Sequence, residues 1–451
     1  MTYVRLVPAL LLACFVSVSS GQWDPNNGLW GKEDPRDIRV MTWNVQDGIC
    51  SSNNKDDAFN SWNGLVRIVA SLQPDVLILQ ECADNSGNGT GSGADSAAVL
   101  DHVANMFVNG GADIYNGGTV GSYIKKFVSG YDLPYVYSST NSDGWNRNLI
   151  MSRFPFEDIN NGGGATISNF VLLPDEYQSG GTGGIRGYQF VEINLPDADY
   201  AGDLVIGNAH LKAGGDSSDY DQRETAARNT AYYIDYYYNG AGIGISDPNN
   251  KVVVPSTGDV LDEFTPVIWG GDLNQNPSST SPSAWMTRAE NFGGTDGTDR
   301  DRSDAVFSNA SHPISGETST QGSSNRLDYL CWQDSIVQVR RQFLFRSTGS
   351  GMSTSRIPEP ARSYPVSPSA ISGIASDHRP VIVDFIMPAP ANDPCPSPPD
   401  YVDDDLLNFF DVSAFLTLFS DGDLEADIND DGQLNFFDVS DFLSMFGAGC
   451  P

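Results

Sequence analysis

Four histidines occur in the 451 residues, and two of them stand in short polar runs, Asn208-Ala209-His210-Leu211 and Ser376-Asp377-His378-Arg379. Four further runs hold carboxylates or amides: Trp43-Asn44, Gln80-Glu81, Gly271-Asp272-Leu273-Asn274 and Arg326-Leu327-Asp328-Tyr329. Carboxylate and amide oxygens beside imidazoles suit a hard divalent cation. Such a cation suits phosphate esters, because it polarises the phosphoryl oxygen and stabilises a leaving oxyanion. A single aspartate at a strand end is more often a turn or cap residue. The weight lies on six such runs together. His102 and His312 fit none of them and read as surface residues.

The elements that must position these residues are legible around them. Residues 38–43, 76–79, 204–206, 266–269 and 380–383 are short β-branched or apolar runs of buried-strand type. Polar runs follow or precede them, and strand ends in a layered α/β domain share one rim. Residues 56–72 place Phe59, Trp62, Leu65, Val66, Val69 and Leu72 on one helical face, which Pro74 ends. Residues 221–238 also read as helical. Residues 22–36 read as a polar leader, and 84–122 and 160–187 as Gly-rich inserted loops.

Lys and Arg number 25 against 58 Asp and Glu, a net charge of −33. Thirteen of the acidic residues lie in 400–451, which has no Lys or Arg, leaving −20 for the rest. A basic, histone-like binder is excluded, and any phosphate must be held by metal ions or a local basic cluster. Arg5, the apolar run from Leu6 to Val18 and the small residues Ser19-Ser20-Gly21 form a bacterial-type export signal, with cleavage expected near Gly21. A lipoprotein site at Leu11-Leu12-Ala13-Cys14 is the rival reading. Both place the protein outside the cytoplasm, secreted or at the cell surface. No later segment is long and apolar enough to span a bilayer. Five cysteines remain after cleavage, so at least one has no partner within the chain.

After Phe385 the composition changes. Residues 387–399 form a Pro-rich linker. Beyond it, residues 407–419 recur 27 positions later as 434–446, with ten of thirteen identical. Copies this short cannot each bury a face alone, so they are expected to pack together. Residues 427–438 fit a twelve-residue calcium loop: Asp427, Asn429, Asp431, Asn435 and Asp438 supply oxygens, Gln433 a carbonyl, and Gly432 the sharp turn. The first copy is degraded, with Val402 and Asp405 at the positions of Asn429 and Gly432. One good calcium site and one weak or empty site are expected.

The ordered motifs, joined by Asn148-Leu149-Ile150-Met151-Ser152-Arg153-Phe154-Pro155, resemble the endonuclease/exonuclease/phosphatase superfamily over residues 37–386. The resemblance implies a four-layer α/β sandwich of two packed mixed β-sheets. It implies Mg²⁺ or Mn²⁺ held principally by Glu81, with Asn44 beside it and Asp377 completing the wall. Asp272 and Asn274 would orient the attacking water, His378 would be base or phosphate ligand with its tautomer fixed by Asp328, and His210 would be a second acid/base. Arg186, Lys212, Arg326 and Arg379 are the local cations offered for phosphate. Ala209 and Leu149 depart from the family pattern, in packing positions.

The implied reaction is metal-dependent hydrolysis of a phosphodiester by water, with nucleic acid the first substrate. A sphingomyelinase-like or sugar-phosphate esterase is the alternative, and a non-catalytic, calcium-stabilised assembly protein the remaining one. The tail, residues 400–451, resembles a dockerin, a small all-α EF-hand-like module that binds a cohesin-like anchoring protein. Cys395 and Cys450 would staple its ends. Cys50 and Cys82 flank Asn44 and Glu81 and are expected to form a disulfide, while Cys331 reads as a buried thiol.

Overall fold

The structure, a computed structural model, describes residues 22–46, 48–50, 54–82, 96–139, 146–157, 168–169, 189–223, 226, 264–277, 305–334, 336–390, 399–402, 407–429 and 432–448. Two mixed sheets dominate. The first has the order β14-β15-β3-β4-β6-β5. Its strands are β3 (Ile38–Asn44), β4 (Val76–Gln80), β5 (Tyr135–Ser138), β6 (Leu149–Ser152), β14 (Gln338–Leu344) and β15 (Val381–Ile386). The second has the order β12-β13-β11-β10-β9-β7, with β8 paired to β9. Its strands are β7 (Phe156–Glu157), β8 (Ser168–Asn169), β9 (Gln189–Ile193), β10 (Leu204–His210), β11 (Val267–Asp272), β12 (Ala305–Phe307) and β13 (Asp328–Gln333). β3 with β4, and β10 with β11, are the parallel pairs; the other pairings are antiparallel.

Side chains alternate across a strand with period two, which explains both the core and the rim. In β3, Ile38 and Val40 enter the core between the sheets, as do Val76 and Ile78 of β4, Leu204 and Ile206 of β10, Ile268 of β11, and Leu330 and Trp332 of β13. Continuing the same parity toward one end brings Thr42, Asn44, Gln80, Asn208, His210, Asp272 and Asp328 onto this inner face. Each strand is therefore apolar at one end of the inner face and polar at the other. The opposite parity, Met41, Trp43, Leu77, Leu79, Leu149 and Met151, packs under helices.

Those helices are α1 (Ser61–Leu72) and α2 (Ala97–Asn109), with the single turn α3 (Ile124–Phe127) beside them. α1 begins later than the sequence pattern suggests. Asn60 caps it, its side chain accepting the Asn63 N–H at 2.8 Å, and Phe59 lies outside it and exposed. Every residue from Trp62 to Leu72 is buried, because α1 is covered by α3 and by α5 (Ile371–Ala375) as well as by the sheet. The expected loop at 84–122 is corrected by α2, whose Leu100, Val103, Ala104, Met106 and Phe107 face the core. Ser96 caps it, accepting the Val99 N–H at 3.2 Å.

Residues 22–36 are not a free leader. β1 (Trp23–Asp24) and β2 (Leu29–Trp30) form a hairpin, and Trp30 Nε1 donates to the Arg356 carbonyl at 2.8 Å. Arg39, fully buried on the helix side of β3, forks onto Asp384 at 2.6 and 2.9 Å and donates to the Trp30 carbonyl at 2.8 Å. α4 (residues 217–223) begins four residues before the helix expected at 221–238, most of which lies outside the described residues. So do the 160–187 insertion apart from β8, the export signal, and most of the Pro-rich linker, and the described residues do not test the expected fourth layer.

The C-terminal module pairs α6 (Phe409–Asp421) with α7 (Phe436–Ala448). Phe415 and Phe442, equivalent residues of the two copies, stack at 4.1 Å with rings 2° apart. They form the module core with Ala426, while Leu416 and Leu443 stay exposed. Among the described residues no helix is long and apolar enough to cross a membrane.

Candidate active site

Strand register brings the polar ends together. His210 pairs with Asp272 across β10 and β11, and Asp272 with Asp328 across β11 and β13. In the other sheet Asn44 pairs with Gln80, which Glu81 follows. The approach of β10 to β11 depends on Gly271. Its φ is +142°, and a Cβ there would lie 1.8 Å from the Ala209 carbonyl oxygen, so only glycine fits. Gln46, Glu81 and Asn274, each just past a strand end, have positive φ of 48°, 55° and 52°. Left-handed backbone costs a non-glycine residue about 1–2 kcal/mol, and here it recurs just past three strand ends.

The two sheets meet at Asp272. Asn44 Nδ2 donates to Asp272 Oδ2 at 2.9 Å. His210 Nε2 lies 3.4 Å from the same oxygen and 3.6 Å from Glu81 Oε1. His378 Nε2 lies 3.8 Å from it, and His378 Nδ1 is 2.8 Å from Asp328 Oδ2. Asp272, Asp328, His210 and His378 are all buried, whereas Glu81 is partly open. Asn274 donates its N–H to Asp272 Oδ1 at 3.0 Å and its Nδ2 to the Leu211 carbonyl at 3.0 Å. Asp377 is exposed at the edge and accepts from Gln321 Nε2 at 3.2 Å.

Residues the motifs did not emphasise hold this arrangement. Ser376 Oγ donates to the Asn44 carbonyl at 2.7 Å and accepts the His378 N–H at 3.0 Å. Trp43 Nε1 donates to the His378 carbonyl at 3.0 Å. Thr320 Oγ1 accepts the N–H groups of Leu327 and Asp328 at 2.8 and 3.2 Å. Below the rim, Gln80 Nε2 donates to Asn208 Oδ1 at 2.9 Å, bridging the sheets. Serine, threonine and glutamine are too common for their spacing to signal such roles.

The electrostatics are those of an anionic pocket. Burial raises the Asp272 carboxyl, and the charge of Asp328 raises it further, against the opposing pull of His378 and the Asn44 hydrogen bond. Burial alone would lower His378, but the charge and hydrogen bond of Asp328, with Asp272 and Asp377, override it and push the imidazole up to about 10. Asp328 Oδ1 is buried without a hydrogen-bond partner. Glu81, His210 and Asp272 place ligand atoms within 4.8 Å of one another, and so do Asp272, Asp328 and His378. Buried carboxylates pressed together, with one oxygen unsatisfied, fit a divalent cation. Asp377 is in neither group.

The expected phosphate cations are engaged elsewhere. Arg326 donates to Asn309 Oδ1 and the Ser308 carbonyl at 2.7 and 2.9 Å. Arg379 donates to the Ser319 carbonyl and hydroxyl at 2.7 and 2.8 Å. Lys212 donates to the Ala213 carbonyl at 3.0 Å and lies 3.5 Å from Asp219. Arg186 is outside the described residues. The expected Cys50–Cys82 disulfide is absent. Both are buried thiols, and a backbone hydrogen bond from Cys50 N to the Cys82 carbonyl, at 3.2 Å, joins the loops instead. Cys331 is a buried thiol as expected. His312 is not a surface residue. It is buried, Nδ1 accepting the Ser315 N–H at 3.1 Å and Nε2 lying 3.0 Å from the Arg346 carbonyl.

In the C-terminal module Asp438 Oδ2 accepts the Asn435 N–H at 2.8 Å, and Asp427 Oδ2 accepts the Gly432 N–H at 2.6 Å. The Gln433 carbonyl accepts from Asn435 Nδ2 at 3.0 Å, and the Asn429 N–H lies 3.5 Å from Asp438 Oδ1. Asp431 lies outside the described residues, as do Cys395 and Cys450.

The profile of the Endonuclease/Exonuclease/phosphatase family matches residues 41–378. No curated protein matches the chain. Solved structures that align with it include an endonuclease/exonuclease/phosphatase from Beutenbergia cavernae, at 18% identity over 78% of this chain and 72% of that one, with TM-score 0.40. The human Nocturnin catalytic domain aligns at 13% identity over 78% and 93%, with TM-score 0.39. Sphingomyelinase C from Streptomyces griseocarneus aligns at 14% identity over 77% and 99%, with TM-score 0.39. Overlaps this loose add nothing to the family match, which alone spans about three quarters of the chain. The chain belongs to the endonuclease/exonuclease/phosphatase family, and it is a divalent-metal-dependent phosphoric ester hydrolase.

Proposed function

We propose that the protein is an exported phosphodiesterase that uses Mg²⁺ or Mn²⁺ and cleaves by direct attack of water, with nucleic acid as its first candidate substrate. The observation that carries this reading is the single buried rim where Asn44 and Glu81 of one sheet face His210, Asp272 and Asp328 of the other, with His378 above them. Glu81, Asn44 and Asp272 would hold the cation, which supplies Lewis-acid polarisation of the phosphoryl oxygen and charge stabilisation of the leaving oxyanion. Asp272 and Asn274 orient the water. Asp328 holds the tautomer of His378, leaving Nε2 facing the reacting centre to bind a phosphate oxygen or hand on a proton. His210, between Glu81 and Asp272, is placed to serve either the cation or the leaving group.

A second substrate reading, a small or zwitterionic phosphodiester such as sphingomyelin, is favoured by one observation. Arg326 and Arg379 are held by carbonyls of the fold and Lys212 by the Ala213 carbonyl and Asp219, so a long polyanion gains little from them. The C-terminal module, in this proposal, binds Ca²⁺ through Asp427, Asn429, Asp431, Gln433, Asn435 and Asp438 and attaches the enzyme to a cohesin-like protein. Assays of wild type and His378→Ala on plasmid DNA, RNA, sphingomyelin and bis-p-nitrophenyl phosphate, with Mg²⁺ and then EDTA, test it. Metal-dependent turnover lost in the variant is expected. Turnover of no substrate would sink the catalytic reading.

A further inference from the structure

Two loops carry the groups at the centre of the rim. Leu211-Lys212-Ala213-Gly214 follows His210, and Leu273-Asn274-Gln275 follows Asp272. Arg223, in α4, reaches both. Its Nε donates to Gln275 Oε1 at 3.1 Å, and its Nη1 donates to the Lys212 and Gly214 carbonyls at 2.7 and 3.0 Å. The side chain is 1% exposed, and its guanidinium carbon lies 4.5 Å from the Tyr220 ring centre. Gln275 is itself fixed, with Nε2 donating to the Asn276 carbonyl at 3.0 Å and its own carbonyl accepting the Tyr329 hydroxyl at 2.8 Å.

A buried guanidinium is costly, and its hydrogen-bond partners among the described residues are uncharged, with Asp219 and Asp272 acting on it only from beyond contact distance. An ion pair therefore does not account for it, whereas a fixed planar fork that must meet acceptors on two separate loops does. A lysine carries its three donors on one nitrogen and has no planar fork, so it holds acceptors on both loops less well. The two loops also touch directly, through Asn274 Nδ2 and the Leu211 carbonyl, so a shift of either changes the spacing of His210 from Asp272 and Asn274.

We infer that Arg223 is a positioning residue that clamps the loop after His210 to the loop after Asp272 and so sets the spacing of the reacting groups. The role rests on the rim being the hydrolytic site. Misplacement by about 1 Å can cost about 10²-fold in rate.

The test uses the full chain as wild type, Arg223→Ala, Arg223→Lys and Gln275→Ala. Amide hydrogen exchange is followed in peptides covering 207–215 and 271–276, against 76–80 as reference, and kcat and KM are measured on bis-p-nitrophenyl phosphate with Mg²⁺. Arg223→Ala is expected to speed exchange in both loop peptides. It should lower kcat about 10²-fold while KM stays within about threefold. Arg223→Lys should recover part of both effects, and Gln275→Ala should loosen 271–276 alone. Unchanged exchange in both loops overturns the clamp, and so does a raised KM at unchanged kcat, which would mark a direct substrate contact. If Arg223→Ala does not fold, the lysine and Gln275 variants decide by the same readouts. If wild type cleaves no phosphodiester, the functional reading falls and the exchange data alone support or overturn the clamp.

Discussion

Asp272 and Asp438 are both buried aspartates, 2% and 0% exposed, yet their surroundings treat them in opposite ways. Asp438, at the start of α7, faces backbone donors. The Asn435 N–H, first among these, holds its carboxyl below the usual range. Asp411 does the same for α6, accepting the N–H groups of Asn408, Tyr401 and Val402 at 2.8, 3.1 and 3.2 Å. Asp272 instead faces Asp328 and two imidazoles, and burial with that neighbouring charge raises it. A carboxylate that meets N–H groups has its charge offset by the backbone and completes a helix start, while keeping lone pairs that a cation can share. One that meets another carboxylate in a buried pocket leaves a demand for positive charge, which a proton or a metal ion must fill. The first arrangement builds structure, and the second keeps a site reactive.

The contrast breaks most clearly at Asp272. Asp272→Ala should lower kcat/KM on bis-p-nitrophenyl phosphate by about 10³-fold or more, on the order of 4 kcal/mol or above. The melting of the C-terminal module should not change. Activity within tenfold of wild type would remove the rim from the chemistry.

Asp328→Asn should bring His378 down from about 10 toward the ordinary value of ~6.5, read by NMR titration of the imidazole. The sign for stability follows. The His378 pKa is raised in the folded state, so its contribution is complete below ~6.5 and is lost as pH rises toward about 10. In wild type the loss of this contribution lowers the urea midpoint as pH rises across that window, and the drop should flatten in Asp328→Asn.

On the other side of the comparison, Phe442→Ala removes half of the stacked pair that closes the module. It should cost about 3 kcal/mol there by differential scanning calorimetry, with hydrolysis unaffected. Smallest of all, Phe437→Ala should change stability by less than ~0.5 kcal/mol, because that ring is 66% exposed. A larger loss would mean that this face is covered in the folded protein.

Much of the site was legible because strands have a short, strict period. Runs such as Leu204-Val205-Ile206 ending in Asn208 and His210 announce a strand that is apolar at one end and chemical at the other. Where burial depends on distant partners, reading failed. α2 hides among Gly and Asn because its apolar face is completed by other elements. His312 looks like a surface residue until the Ser315 N–H and the Arg346 carbonyl are brought to its two nitrogens. The cations Arg326 and Arg379 look available for phosphate until carbonyls fold over them. Arg223 follows no motif, since its partners come from loops that only the fold places side by side.

The chain by itself determined which residues end each strand and that the two copies of the repeat pack together, because these follow from local geometry and period. Tertiary structure alone decided that Asn44 reaches Asp272, 228 positions away, and that two buried carboxylates, Asp272 and Asp328, share one pocket with the partly open Glu81. It also decided that the nearby arginines serve the scaffold. Contacts between two packed sheets depend on how their faces fit, and the meeting of His210 with Asp272 on how closely Gly271 lets β10 and β11 approach, and no rule confined to neighbouring residues carries that information.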